Sequence, residues 1–338
     1  MAGSAPPCQR GTAFRSAPTG SSSAFSSLVD RSIRAWATLN YANLDVDKAS
    51  ATERHAEKLR NLSSIDDLLL GREYWFFQSR ESFLRQERLM KWSSSNLDQY
   101  VLFPIDYGFV NNKDCFFVSH YWRTSDHPDP DGVDLRMFIQ DLKDAEWSYI
   151  WVDWTCMPQY DDGARTRLEE YYFRRMLTCI PMLVRDCAMA WRYPSFEPRA
   201  WILYEVAEYV LNHREYVKTP DNSLFIQHIV EMLAYNVRRV LDIHNYRCTN
   251  KSDMLLVTGW LEILKIVYGI FPDDVQTRQE VLDQINQPYT GTYANPFMDL
   301  KIDKAKGEVH HRGKVYSFTP VFHLAAHTSL PLLQHGAT

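Results

Sequence analysis

Long apolar runs are absent from this sequence. No stretch reaches the roughly 18 apolar residues that a membrane-spanning helix needs, and the strongest candidate, 255–268, is interrupted by Glu262 and Lys265. A basic stripe is lacking as well: 37 Lys and Arg stand against 42 Asp and Glu, which gives a net charge of −5. We therefore expect neither a membrane nor a nucleic acid as a partner.

Cysteine is sparse and scattered. The 338-residue chain has six cysteines and no CxxC pair, a pattern typical of free thiols in a reducing compartment. Residues 1–29 lack the apolar core of a secretory signal; they are rich in Ser and Ala and contain Arg10 and Arg15 but no acidic residue. This composition favours a disordered tail, with a transit peptide as the alternative. We predict a cytoplasmic protein.

Motifs for bound nucleotides and metals are also missing. The sequence contains no GxGxxG string and no P-loop. When the acidic loop 126–131 is aligned as an EF-hand from Asp126, Gly132 falls at the seventh position instead of the sixth. We interpret this loop as a solvated turn. The pair His310-His311 has no partners at zinc spacing, so we expect neither a metal nor a resident cofactor.

The composition is that of a folded protein. Hydrophobic residues make up 45% and charged residues 23%, both near the averages for globular domains. The length suggests more than one structural unit. Patterning divides the chain into a disordered tail (1–27), a helical region (28–100) with helices at 51–62 and 74–92, an α/β domain (101–217), and a mainly helical region with a β-hairpin (218–338).

Short apolar runs alternate with amphipathic stretches in the α/β domain. Continuous apolar runs fit strands buried on both faces of a parallel sheet, whereas apolar residues spaced by three and four fit helices. Their alternation predicts right-handed crossovers and a parallel sheet with helices on both faces. The predicted strands are 114–119, 149–153 and 187–191, and the predicted helices are 133–146, 164–177 and 199–212.

Polar and aromatic residues cluster where the predicted strands end. Ligands of such sheets bind beyond the carboxyl ends of the strands, so these residues are the candidates for a functional site. They are Ser119, His120, Trp122, Asp153, Trp154, Trp201 and Glu205.

Glu205 is the strongest candidate for a catalytic residue. It lies four residues after Trp201, so both project from one helix face, and the nearby helix N-terminus favours a carboxylate. An ionised carboxylate beside aromatic rings can accept hydrogen bonds from a ribose diol and stabilise an oxocarbenium-like centre. On periodicity alone, a helix glutamate that is exposed or paired with Arg199 is the simpler interpretation.

Two other residues at strand ends have alternative interpretations. Asp153 either binds a ligand or caps the next turn. Cys156 is either a nucleophile activated by His120 or a buried structural thiol.

Three strings in this region resemble known families. The string 116–120 resembles the opening strand of TIR-like domains, and Trp201-xxx-Glu205 is similar to the tryptophan and catalytic glutamate of NAD-cleaving TIR domains. The string 149–159 resembles the signature of fungal heterokaryon-incompatibility (HET) domains, which are distant relatives of TIR domains. In place of the usual Ser-Tyr-x-Trp-Gly opening of HET domains, this chain has the string 119–122.

The resemblance implies a flavodoxin-like (TIR-like) sheet, homo-oligomeric self-association, and either NAD cleavage or adaptor signalling. Glu205 would then be the catalytic carboxylate, and NAD would be a substrate, not a cofactor. One alternative is a non-enzymatic self-association or cell-death adaptor. Another is an accessory protein of a small-molecule metabolic pathway, which a tryptophan-rich pocket would suit. The implied substrate-binding residues are Ser119, His120, Trp122, Asp153, Trp154 and Trp201.

Overall fold

The computed structural model describes residues 21–39, 48–106, 108–124, 126–160, 164–213, 218–287 and 290–321. Thirteen α-helices and nine strands lie within these ranges. The helices are α1 Ser21–Thr38, α2 Lys48–Arg60, α3 Ile65–Gly71, α4 Arg80–Leu84, α5 Val133–Leu142, α6 Asp153–Cys156, α7 Arg167–Leu177, α8 Ile180–Asp186, α9 Ala200–Asn212, α10 Ser223–Ala234, α11 Val237–Ile243, α12 Asp253–Ile270 and α13 Val275–Asn286. The strands are β1 Tyr74–Ser79, β2 Tyr100–Pro104, β3 Cys115–His120, β4 Tyr149–Trp151, β5 Ala188–Arg192, β6 Thr292–Asn295, β7 Leu300–Asp303, β8 Glu308–His311 and β9 Lys314–Ser317.

Five strands form a mixed sheet in the order β2-β1-β4-β3-β5. Strand β3 pairs in parallel with β4 and β5, with Phe117 opposite Trp151 on one side and Met189 on the other. Strand β1 runs antiparallel to β2 and β4. The three predicted strands and their parallel pairing are confirmed. The whole sheet is mixed, however, because β1 runs against its neighbours.

Strands β1 and β2 correct the prediction for the N-terminal region. Residues 74–92 were expected to be helical, yet Tyr74–Ser79 is a strand and only Arg80–Leu84 forms a helix. Four consecutive aromatic residues begin β1, and Phe76 packs edge-on against Tyr100 and Tyr172 at 5.5 and 5.7 Å. Large aromatic side chains fit the two buried faces of a pleated strand.

A helix begins inside the stretch that was predicted to be a disordered tail. Residues 1–20 lie outside the described residues, but α1 already begins at Ser21, inside the stretch 1–27 that was expected to be disordered. Phe25 of this helix is buried. Burial of the Phe25 ring stabilises the helix, although most of the neighbouring residues are serines.

Successive side chains of the parallel strands enter different apolar clusters, as a pleated strand requires. Phe117 and Trp151 stack at 5.0 Å in a cluster that includes residues of α7 and α8. Val118 and Ile150 belong to a second cluster, which includes Leu135 of α5. The uninterrupted apolar runs in the sequence therefore reflect burial on both sides of these strands.

The strand order creates a topological switch point. After β3 the chain crosses to β4 on one side, and the next strand, β5, lies on the other side of β3. The connections that leave the carboxyl ends of β3 and β5 therefore diverge. Such a divergence opens a crevice, which is where ligands of α/β sheets bind.

The C-terminal region contains helices α10 to α13 and a four-stranded antiparallel sheet, β6-β7-β8-β9. The predicted hairpin is confirmed: Arg312 and Gly313 both have positive φ, 48° and 74°, as a tight two-residue turn requires. Helices α10 and α11 are separated by Tyr235 and Asn236. The Asn236 side chain accepts a hydrogen bond from the Arg239 backbone N–H at 2.7 Å and so caps α11.

A buried charge cluster joins α8, α9 and α13. The Arg185 guanidinium has no exposed side-chain surface and donates hydrogen bonds to Glu208, to Asp283 at 2.7 Å and to Asn286 at 2.8 Å. Buried charges are tolerated when they are paired in this way. The cluster therefore holds the three helices together behind the main sheet.

Candidate functional site

Glu205 and Ser119 meet at the carboxyl end of β3. Ser119 is buried near the end of the strand, and Glu205 lies in the second turn of α9. The Ser119 hydroxyl donates a hydrogen bond to Glu205 Oε2 and lies 2.7 Å from the hydroxyl of Tyr193, which directly follows β5. The three side chains form a hydrogen-bonded row across the switch point.

The carboxyl group of Glu205 has a raised pKa. Burial is the main cause and the charge of Asp153 adds to it, whereas the hydrogen bond from Ser119 acts in the opposite direction; the resulting pKa is about 8. The free carboxyl is therefore mostly protonated at neutral pH. The expectation of an ionised Glu205 is therefore wrong for the free protein at neutral pH. The carboxyl group loses its proton as the pH approaches its pKa of about 8.

The simpler interpretation of Glu205 as an exposed or Arg199-paired residue is wrong. Glu205 is partly buried, and Arg199 instead pairs with Glu197, at 3.0 Å. Among the described residues, Ser119 is the one that donates a hydrogen bond to the Glu205 carboxyl group. Its carboxyl group is therefore held by a neutral hydroxyl and not by a cation, which is why burial dominates its pKa.

Asp153 anchors a second group of the predicted residues. Its carboxylate accepts hydrogen bonds from the Trp122 indole N–H at 2.8 Å and from the Trp154 backbone N–H at 2.6 Å, and it lies 3.3 Å from His120 Nε2. Asp153 is the first residue of α6, which has Val152 as its N-cap and no side-chain capping bond, so its bond to the neighbouring backbone N–H does not make it a helix cap. Binding of a ligand by Asp153 stays a prediction.

The two carboxyl groups are shifted in opposite directions. Burial alone would raise the pKa of Asp153, but hydrogen bonds from His120, Trp122 and Trp154 outweigh it and lower this pKa. A mostly neutral Glu205 thus stands near an ionised Asp153 at one end of the sheet. Such divergence of two neighbouring carboxyl groups is typical of acid–base sites in hydrolytic enzymes.

The three predicted tryptophans do not share one pocket. Trp122 and Trp154 meet edge to face at 5.3 Å beside Asp153. The Trp201 indole N–H instead donates to Asp253 of α12 at 3.3 Å. The structure therefore brings Trp122 and Trp154 together but directs Trp201 towards the C-terminal helices, and its role as a pocket wall stays a prediction.

A cavity of about 690 Å³ opens at the switch point. It is lined by Arg123, which follows β3, by Tyr193 and Phe196, which follow β5, and by Asp221, which precedes α10. Tyr193 also bonds Ser119, so the cavity and Glu205 are connected through two hydroxyl groups. Glu205 itself is not among the lining residues.

Cys156 is a structural thiol. It is fully buried, its sulfur lies 3.7 Å from the Ile150 carbonyl oxygen, and burial raises its pKa to about 11. A thiol with this pKa is almost entirely protonated at neutral pH and is a poor nucleophile. Of the two interpretations offered by the sequence, the buried thiol is therefore supported.

The acidic loop after β3 is not simply a solvated turn. Asp129 is fully buried, and its carboxylate accepts hydrogen bonds from the backbone N–H groups of Val133 and Leu135 at 2.9 Å each. It therefore caps the N-terminus of α5. His127 is buried too, and its Nδ1 accepts from the Asp129 backbone N–H at 3.0 Å. The residues that looked like surface charge hold this helix in place.

Tyr193 begins the segment 193–201 that the strand-end rule selects, but it was not among the candidate residues. It follows the third predicted strand, where the strand-end rule places ligand contacts, but nothing in the local pattern indicates that it reaches Ser119, 74 positions earlier. Its position just beyond the half-buried strand β5 was the one usable signal.

Comparisons with protein-family models, with curated proteins and with solved structures found no match for this chain. Within the ranges that the structure describes, no helix is long and apolar enough to cross a membrane. The case for a function therefore depends on the chemistry of the carboxyl groups at the switch point.

Proposed function

We propose that this protein is a TIR-like hydrolase that cleaves the nicotinamide–ribose bond of NAD, with Glu205 as the catalytic carboxyl group. The observation that carries the proposal is the pairing of a partly buried Glu205, whose pKa is about 8, with a nearby ionised Asp153. Both lie where the parallel strands end. A carboxyl group that titrates near the working pH is suited to move a proton during a reaction.

In the proposed reaction, the positive charge of the bound nicotinamide ring favours deprotonation of Glu205 by direct electrostatic attraction. The ionised carboxylate then accepts hydrogen bonds from the ribose hydroxyls. It also stabilises the positive charge that develops on the sugar as the bond to nicotinamide lengthens. Ser119 keeps the carboxylate in place through its hydroxyl hydrogen bond.

Water is the one further reactant that the proposed cleavage needs. The bond between ribose C1′ and the nicotinamide nitrogen breaks, and its electron pair stays on that nitrogen. A water oxygen bonds to C1′, and the proton that this water loses passes to Glu205, whose high pKa makes its carboxylate an effective base. The products are nicotinamide and ADP-ribose, and the proton later returns to solvent.

The fold proposal has the same basis. The parallel strands have the order β4-β3-β5, which matches the first three strands of a flavodoxin-like sheet. This order supports a TIR-like module, with β1 and β2 as additions at one edge. Self-association and a cytoplasmic location belong to the same proposal.

A non-enzymatic adaptor is the second candidate, and one observation favours it. The bond that Glu205 makes is internal, and Glu205 does not line the cavity at the switch point. In an adaptor, Glu205 and Ser119 would only fasten α9 to the sheet.

Nicotinamide release from NAD by the purified full chain separates the two candidates. Glu205→Gln keeps the size and the hydrogen bonding of the side chain but cannot ionise, so we expect release to fall by at least about a hundredfold. Glu197→Gln is the matched control, because Glu197 is a neighbouring exposed carboxylate paired with Arg199, and it should retain full activity.

Two outcomes would remove the enzyme proposal. One is equal release by the wild-type protein and Glu205→Gln. The other is no release by the wild-type protein even at concentrations that drive self-association. The second outcome would favour the adaptor.

A further inference from the structure

The cavity at the switch point has a lining that the hydrolysis proposal does not use. Three of its side chains are large apolar groups with unusual exposure: Phe196 at 36%, Met137 at 38% and Leu224 at 41%. They come from three separate segments, the β5–α9 connection, α5 and α10. Exposed apolar groups that converge on one concave surface are typical of a small-molecule site, and about 690 Å³ is a suitable volume.

Phe196 is held as a rigid platform. Its ring packs against Phe225 at 5.1 Å and edge-on against His228 at 5.4 Å. These buried neighbours support the ring from the side of α10, while part of the ring stays open to the cavity. A ring fixed in this way can stack on a planar aromatic ligand with little loss of conformational freedom.

Arg192 supplies a donor with spare capacity. One of its terminal nitrogens, Nη2, bonds Asp141, whereas no described residue accepts a hydrogen bond from the other, Nη1. Arg123, by contrast, is engaged by Asp134 through two bonds of 2.9 and 2.6 Å. An oxyanion is the partner that a free guanidinium nitrogen binds best.

Asp221 supplies the complementary acceptor. It is partly buried, and its charge contributes to the raised pKa of Tyr193, so it lies close to that ring. Within the described part of the chain, the Asp221 carboxylate accepts no hydrogen bond and forms no ion pair. The cavity thus offers one free donor nitrogen, one carboxylate acceptor and an aromatic platform.

We infer that this cavity binds a small molecule that combines an aromatic ring, an oxyanion and a hydrogen-bond donor. Phe196 stacks on the ring, Arg192 binds the oxyanion and Asp221 accepts from the donor. A nucleoside monophosphate and an aromatic amino acid share this chemistry. The inference does not depend on NAD cleavage, because Glu205 does not line the cavity.

Calorimetric titration of the full chain with two pairs of probes tests the inference. AMP and L-tryptophan carry the oxyanion, whereas adenosine and tryptamine lack it. We expect one of the two anions to bind below about millimolar concentration and its counterpart to bind at least about tenfold more weakly, as the loss of a charge-assisted bond requires. The member that binds identifies phosphate or carboxylate as the oxyanion.

Variants assign the binding to named residues. Arg192→Gln and Asp221→Asn should each weaken the anionic probe about tenfold or more. Asp141→Asn is the matched control: it breaks the ion pair of Arg192 without altering the lining, so it should leave affinity unchanged or higher. Glu205→Gln should also bind normally, which separates this inference from the proposed hydrolysis.

Three results would overturn the inference. The first is the absence of binding by either anion at millimolar concentration. The second is equal affinity for a probe with and without its oxyanion. The third is an equal loss of affinity in Arg192→Gln and Asp141→Asn, which would show that the ion pair matters only for local structure.

Discussion

Replacing Glu205 by Gln should change how the stability of the protein depends on pH. The ordinary pKa of a glutamate is 4.5, and in the folded protein that of Glu205 is about 8. Between these values the folded state binds about one proton more than the unfolded state. The free energy of unfolding of the wild-type protein should therefore fall as pH rises, by about 1.4 kcal/mol per pH unit from this group.

The contribution is fully present below the unfolded pKa of 4.5 and is lost as pH rises through the folded pKa of about 8. Over the range from about pH 5.5 to about pH 7, the expected loss is about 2 kcal/mol. Glu205→Gln removes the titration, so the difference in unfolding free energy between variant and wild type should shift by about 2 kcal/mol in favour of the variant. Because Glu205 keeps some contact with solvent, this figure is an upper value.

Urea unfolding followed by tryptophan fluorescence at the two pH values measures this shift. Other buried acids contribute to the wild-type slope, but they cancel in the difference between the two proteins. Glu197→Gln, which alters an exposed ion pair, should show a shift near zero. A shift near zero for Glu205→Gln would mean that Glu205 is ionised throughout this range, and the acid–base argument would then be lost.

Three further predictions follow from the same contacts. Ser119→Ala removes the hydrogen bond that lowers the pKa of Glu205, so the midpoint of nicotinamide release against pH should move above that of the wild-type protein. Asp153→Asn removes the charge that raises this pKa, so the same midpoint should move down; shifts of equal sign in the two variants would contradict the assignment. Arg185→Met leaves the two acids around it without a counter-charge and should cost about 3–5 kcal/mol of unfolding free energy in urea, whereas a loss below about 1 kcal/mol would show that this cluster is not a structural anchor.

The parallel core of the fold was predictable because each of its strands has a recognisable apolar run in the local sequence. Nearly continuous apolar runs such as 114–119 have no polar face, and such a run is typical of a strand buried on both faces of a sheet. Strand β1 was missed because its aromatic run was read as part of one long amphipathic stretch, 74–92, with its charges assigned to a helix surface. Strands β6 and β7 have four residues each, and all of these residues except Leu300 and Ile302 are half-exposed or exposed. Their hydrophobic patterns are therefore too short to be recognised as strands in the sequence.

The proximity of the candidate residues was predictable from the sequence, but their contacts were not. The rule that ligands bind beyond the strand ends selected Ser119, Asp153 and Glu205 correctly as residues that lie near one another. Helical spacing placed Trp201 on one face with Glu205 but could not reveal that α12 provides its partner, Asp253. The contact between Ser119 and Tyr193 joins distant parts of the chain, and such a contact is set by tertiary packing.

The charge state of Glu205 illustrates the same limit. Sequence identifies a carboxyl group near a helix N-terminus, which favours ionisation, but its protonation depends on how much solvent remains and on which charges come near. In the folded protein burial and Asp153 outweigh the bond from Ser119. The resting site is therefore neutral at Glu205, and the substrate's positive charge becomes part of the proposed activation.

The pH dependence of kcat/KM for nicotinamide release from NAD shows whether Glu205 is the group that must ionise for cleavage. We expect kcat/KM to rise with pH to a plateau, with a single midpoint near the pKa of about 8 that the free protein gives Glu205. A flat profile, or a midpoint near the ordinary glutamate value of 4.5, would contradict it.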